Sequence, residues 1–180
     1  ILLCALPKSA KPLVNRLLTV YGIMKPERIS LVQRYSMACP AIPTCGLALT
    51  EAERALPAII DALEGEVSRL GLHSEKFSVR MTGCPNGCAR PYQSDVGIVG
   101  RSGDKVTLFV GGNVVGSRLG FVLKDLVPMT QVAPTLGILL AHFQKNRQPE
   151  ESFGDYCHRL GAEALQALLA PPSAPAQAEA

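Results

Sequence analysis

Four of the six cysteines in this sequence fall into two close pairs, Cys39-x5-Cys45 and Cys84-x3-Cys88. Thiolates in fours are the donor set of structural zinc and of iron–sulfur clusters. Pro40 and Pro43 keep the first pair's loop out of helix, so its sulfurs are presented from an irregular, stiff segment. The second pair lies in Met81-Thr82-Gly83-Cys84-Pro85-Asn86-Gly87-Cys88-Ala89-Arg90, entered from an apolar run that holds Phe77, Val79 and Met81. Gly83 and Gly87 permit tight turning, and Pro85 suits the first position of a helix. The pattern predicts a helix opening at Pro85, with Cys84 and Cys88 on one side. Its free N–H groups and dipole would favour negative charge at the sulfurs. A metal cluster is the chemistry such a stretch serves.

Other readings of the same residues compete. Zinc knuckles usually space their cysteines more closely than C-x5-C, and no histidine adjoins either pair. The pairs also depart from the common ferredoxin spacings, so spacing alone leaves zinc and iron–sulfur both open. Buried free thiols fit poorly with flanking Gly, Pro and Asn. Three disulfides fit poorly with a chain of this size and no secretory signal. Cys4 and Cys157, outside the pairs, read as ordinary thiols, and His73, His142 and His158 as surface or satisfied histidines.

The elements that must hold these loops can be read in part. Ala10–Tyr21 carries Leu13, Leu17 and Val20 at helical spacing and stops at Gly22. Ile29–Tyr35 reads as a strand leading to Cys39. Thr50-Glu-Ala-Glu53 fits a capping box ahead of a helix whose apolar stripe is Leu56, Ile59, Ile60, Leu63, Val67 and Leu70. Pro57 implies either a kink or a regular start nearer that residue, and Gly71 ends the helix. Phe77–Thr82 is a strand, and Asp95–Arg101 with Lys105–Gly111 is a hairpin turning at Ser102-Gly103-Asp104. Gly111-Gly112-Asn113 with Gly116 reads as a tight turn rather than a phosphate cradle, its spacing matching no nucleotide motif. Helices are expected at Arg118–Leu126, at Thr130–Asn146 with its start delayed by Pro134, and at Ser152–Leu160 and Ala162–Leu169 on either side of Gly161. Residues 170–180, rich in Ala and Pro, read as a disordered tail.

With 180 residues, 47% hydrophobic, the chain has enough material for one sizeable core. A net charge of +3 is too small to argue for nucleic acid or a membrane surface. No apolar run approaches a bilayer's width. The start at Ile1, without Met, reads as a piece of a longer protein.

Cys39-x5-Cys45-Gly-Leu-Ala-Leu-Thr-Glu-Ala-Glu-Arg, followed by Thr82-Gly-Cys84-Pro-Asn-Gly-Cys88-Ala-Arg-Pro-Tyr, closely resembles the sirohaem-dependent sulfite reductases and their nitrite-reducing relatives. The likeness continues through Gly97-Ile-Val-Gly100, Gly111-Gly-Asn113 and Glu151-Ser-Phe-Gly-Asp155. It implies an α+β fold, a mixed or antiparallel sheet with flanking helices. The implied domain spans 27–169, after a preceding domain end or linker helix at 1–26. The resemblance also implies that Cys39, Cys45, Cys84 and Cys88 bind a [4Fe-4S] cluster, that Cys88 bridges to the sirohaem iron, and that Asn86 lies near the sirohaem. Six-electron reduction of sulfite to sulfide in the cytoplasm, or in a plastid if the source is plant-like, is the implied activity, with nitrite to ammonia as its alternative. Ferredoxin or a flavoprotein subunit would donate the electrons. A zinc-stabilised, non-catalytic module is the alternative of another class. Basic anion-binding residues are expected upstream of the cysteines. Arg90 is the basic residue beside the motif, its role open between surface, propionate-facing and catalytic; Tyr92 would pack near the cofactor, and no catalytic acid can be named.

Overall fold

Alternate residues of three short runs lie at almost zero exposure: Val79 and Met81, Val96 and Ile98, and Val106, Leu108 and Val110. Period-two burial marks strands with one face on a core. The computed structural model, which describes residues 3–170, joins them in a five-stranded sheet. Its strands are β1 (Ser36–Ala38), β2 (Val79–Thr82), β3 (Val96–Ser102), β4 (Lys105–Val110) and β5 (Phe121–Pro128), in that spatial order. β1, β2 and β3 run parallel, while β3–β4 and β4–β5 are antiparallel. The sheet is therefore mixed, and the α+β expectation holds. The hairpin turns where the sequence placed it, with Gly103 at φ +59°.

The helices are α1 (Lys11–Val20), α2 (Leu31–Arg34), α3 (Leu56–Arg69), α4 (Val132–Asn146) and α5 (Phe153–Leu168). Leu56, Ile59, Ile60, Leu63, Val67 and Leu70 are all buried, as their stripe predicted, in one cluster with the inward residues of the sheet. Leu136, Leu139, Leu140 and Phe143 of α4 and Phe153 and Tyr156 of α5 complete that core. α5 is capped by the Ser152 hydroxyl, which accepts from the Asp155 N–H at 3.1 Å, and breaks at Gly161 (φ +78°), as expected. α1 forms where its spacing placed it, but none of its residues is buried. The tail from Pro171 lies outside the described residues.

Three expectations need correction. Ile29–Tyr35 is not a strand: the Ser30 hydroxyl accepts from the Gln33 N–H at 3.1 Å and starts one helical turn, leaving only Ser36–Ala38 extended. Thr50–Glu53 does not cap a helix. The Glu51 carboxylate instead accepts from the Ala52 and Arg54 N–H groups, and α3 begins at Leu56 beside Pro57. Arg118–Leu126 is no helix: from Phe121 onward it is β5. Its inward residues Leu123 and Val127 stand four apart because the β4–β5 register shifts, with Leu126 at φ +53°. That spacing mimics a helical face.

Candidate metal centre

Both cysteine pairs leave the sheet at one end. Cys39 follows β1 directly, and its N–H donates to the Met81 carbonyl at 3.1 Å, carrying the parallel ladder one residue further. Cys84 lies two residues past β2. Parallel neighbours place both exits side by side. The first loop then returns: the N–H groups of Leu49 and Thr50 donate to the Gly83 carbonyl at 2.8 and 3.1 Å. Residues 39–50 are thus pinned at both ends against the residue that precedes Cys84.

Gly83 makes that approach possible. A Cβ there would lie 2.6 Å from the Thr50 carbonyl oxygen and 2.7 Å from the Ala41 Cβ. Its N–H donates to the Cys39 sulfur at 3.3 Å, which fixes that side chain against the second loop. Within the loop the Cys45 N–H donates to the Ala41 carbonyl at 2.7 Å, and the Arg54 guanidinium donates to the Ile42 carbonyl.

The second pair corrects the sequence reading. No helix opens at Pro85; residues 85–86 and 88–89 are turns, with Gly87 at φ +70° and Arg90 at φ +55°. Two left-handed residues within four positions cannot propagate a helix. No helix dipole therefore acts on the sulfurs of this pair. Tyr92 organises the turn instead. Its hydroxyl donates to the Pro85 carbonyl at 2.8 Å, its ring stands 2.9 Å from where a Gly87 Cβ would be, and Phe109 supports it edge-on at 5.0 Å. Burial, and then the Cys84 sulfur, raise the phenol's pKa, so it stays a donor at neutral pH. Tyr92→Phe should therefore lower stability by about 1 kcal/mol, a fall in thermal midpoint of about 2–4 °C. Calorimetry of the iron-loaded protein checks this, with iron content expected unchanged.

The glycine-rich loop has a structural task. A Cβ on Gly112 would lie 2.6 Å from the Ser94 carbonyl oxygen and 2.8 Å from that of Tyr92. Arg118 fixes the loop by donating to the Gly111 carbonyl at 2.6 Å and to Asp155 at 2.7 Å. The tight-turn reading stands, and the turn buttresses the segment that follows Cys88.

The sulfurs differ in access. Cys84 is buried, Cys39 and Cys45 are half-buried, and Cys88 is exposed beside exposed Asn86. Among the described residues no three His, Cys, Asp or Glu side chains converge to share one metal ion. A single zinc would require all four sulfurs about 2.3 Å from one point. A cluster instead gives each thiolate its own iron. Cys4 is exposed, and Cys157 is buried with its thiol pKa pushed up by that burial. Ile42, Leu47 and Leu49 are exposed apolar residues on the first cysteine loop. Sequence reasoning gave Gly83 only a turn's role and missed Arg80, although an Arg between Val79 and Met81 breaks an apolar strand and was visible.

Comparisons with known proteins bear on these residues. The family profile described as "Nitrite and sulphite reductase 4Fe-4S domain" matches residues 33–174. The chain is 44% identical over 153 residues to the sulfite reductase [ferredoxin] of Synechococcus elongatus, covering 85% of this chain and 24% of that protein. It is 41% identical over 161 residues to the sulfite reductase [NADPH] hemoprotein beta-component of Methylorubrum extorquens, covering 89% of this chain and 26% of that one. The chain thus spans about a quarter of the length of these relatives. Among solved structures, Mycobacterium tuberculosis NirA protein superposes with a TM-score of 0.75 at 23% identity, covering 89% of this chain and 31% of that one. Dissimilatory sulfite reductase I superposes with a TM-score of 0.59 at 14% identity, over 78% and 53%. Both support the fold.

Proposed function

Because the chain belongs to the nitrite and sulphite reductase 4Fe-4S domain family, we propose that it forms the cluster-bearing part of an enzyme that reduces sulfite to sulfide with six electrons. In this reading Cys39, Cys45, Cys84 and Cys88 hold the [4Fe-4S] cluster, Cys88 also ligates the iron of sirohaem, and Asn86 lies against the macrocycle. The observation that carries it is the difference in access. Cys88 is the most exposed of the four, so its sulfur is the one best placed for a second metal centre arriving from outside. The coupled pair, when bound, supplies a thiolate-linked path for single electrons to the substrate's iron and electron density for cleaving bonds to it.

The chain's own part is positional. The Gly83 N–H holds the Cys39 sulfur, Tyr92 holds the turn that presents Cys88, and the buried setting of Cys84 keeps water from its sulfur. A ferredoxin or a flavoprotein subunit would deliver the electrons, and the anion-binding cations would come from elsewhere in a longer polypeptide. The relatives at 41–44% identity carry the name sulfite reductase, which favours sulfite over nitrite.

Turnover by the full-length polypeptide with a reduced one-electron dye tests the assignment. Sulfide formed from sulfite faster than ammonia from nitrite is the expected result. The reverse preference selects the nitrite alternative, and neither product contradicts the proposal.

A further inference from the structure

Arg80 stands in the middle of β2, between Val79 and Met81. Those neighbours face the helices, so strand alternation turns Arg80 to the opposite face of the sheet. Its ladder partners are Met37 on β1, which is exposed, and Gly97 on β3. One guanidinium nitrogen, Nη1, is covered yet has no hydrogen-bond partner. The same is true of the hydroxyl of Thr82, two residues along on that face. None of the ion pairs among the described residues includes Arg80. Asp95 acts on it at a distance, but its Oδ2 already accepts from the Ser78 N–H and hydroxyl at 2.8 and 2.6 Å.

A second cation stands close by. The chain leaves Arg90 and crosses directly over Gly97, where the Pro91 carbonyl oxygen is 2.4 Å from where a Cβ would be. Burial first, then the charge of Arg90, hold the Arg80 guanidinium below its usual pKa. A covered, unpartnered guanidinium nitrogen on Arg80, with the charge of Arg90 acting on it, raises the free energy of the protein until an anion joins them.

We propose that Arg80 and Arg90, with the Thr82 hydroxyl, form a clamp for a carboxylate on the rim of the sirohaem ring. The inference rests on the sirohaem reading above. A carboxylate from another stretch of polypeptide has the same chemistry. The cofactor is the better occupant because Arg90 follows exposed Cys88 by two residues, which puts the clamp beside the thiolate assigned to the haem iron. Sirohaem also carries acid groups all around its ring, and a guanidinium fork matches a carboxylate's two oxygens.

Titration of the haem-free, full-length polypeptide with sirohaem, followed by absorbance, tests this on wild type, Arg80→Met and Arg80→Lys. Arg80→Met should bind sirohaem about tenfold to a hundredfold more weakly, the range for a lost hydrogen bond to a charged group. Arg80→Lys, which keeps the charge and loses the fork, should fall between, and it serves if the methionine variant does not fold. The haem-free Arg80→Met protein should melt no lower than wild type, since a covered, unpartnered charge has been removed. Undiminished sirohaem binding by both variants overturns the clamp. If the methionine variant also melts lower, a polypeptide carboxylate is the true partner. A wild-type protein that takes up no sirohaem overturns the functional reading, and the clamp with it.

Discussion

Full-length polypeptide in which Cys84 is replaced by serine should emerge from purification without its iron–sulfur cluster. Cys84 is the buried member of the four, held beside β2 and beneath the returning loop at Leu49 and Thr50. A serine hydroxyl is a poor ligand for iron, and at a buried position no external thiol can reach the vacancy. Losing an outer hydrogen-bond partner of a ligand alone typically costs 10–100-fold in metal affinity, so losing the ligand should leave cluster occupancy below about a tenth of wild type. Cys4→Ser, at an exposed thiol outside the pairs, should keep full iron. Iron analysis and visible absorbance of both variants check this. Equal iron in the two would remove Cys84 from the ligand set.

The second large effect comes from a residue with no chemistry of its own. Gly100 on β3 lies where a Cβ would be 2.3 Å from the Gly83 carbonyl oxygen and 2.3 Å from the Thr50 hydroxyl oxygen. Gly100→Ala must move the backbone on which Leu49, Thr50 and Cys39 all depend. A forced shift of this kind should cost about 3 kcal/mol, which lowers the thermal midpoint by about 6–12 °C in a domain of this size. Because the shift falls on Gly83, cluster occupancy should drop as well. Gly65→Ala is the control: with nothing within 4 Å of its Cβ in the middle of α3, it should stabilise by roughly 0.5–1 kcal/mol. If Gly100→Ala melts like wild type and keeps its iron, the close packing of the two loops is not what holds the site.

The two glycines show where the sequence could and could not be read. The cysteine pairs, the stripe on α3, the β3–β4 hairpin and the break at Gly161 depend on residues close together in the chain, and all were legible. The Pro85 helix was misread because Pro after a tight Gly suits a helix start, whereas Gly87 and Arg90 adopt left-handed backbone under the Tyr92 ring. β5 was misread because its inward residues take helical spacing from a register shift that exists only against β4. That Gly83 and Gly100 each face a neighbouring backbone, and that Arg80 carries a covered nitrogen without a partner, are facts of tertiary packing. Local pattern carries no trace of the first and only the oddity of an Arg in an apolar strand for the second.

The central claim is that the four cysteines carry a cluster joined through Cys88 to sirohaem. The measurement that tests it most directly is the visible spectrum and metal content of the full-length polypeptide, produced with sirohaem available. Sirohaem bands with about five irons per chain, four in the cluster and one in the macrocycle, are the predicted result. A broad iron–sulfur shoulder without haem bands would keep the four ligands and remove Cys88 as a bridge. A colourless protein with one tightly held zinc would contradict the account at its root.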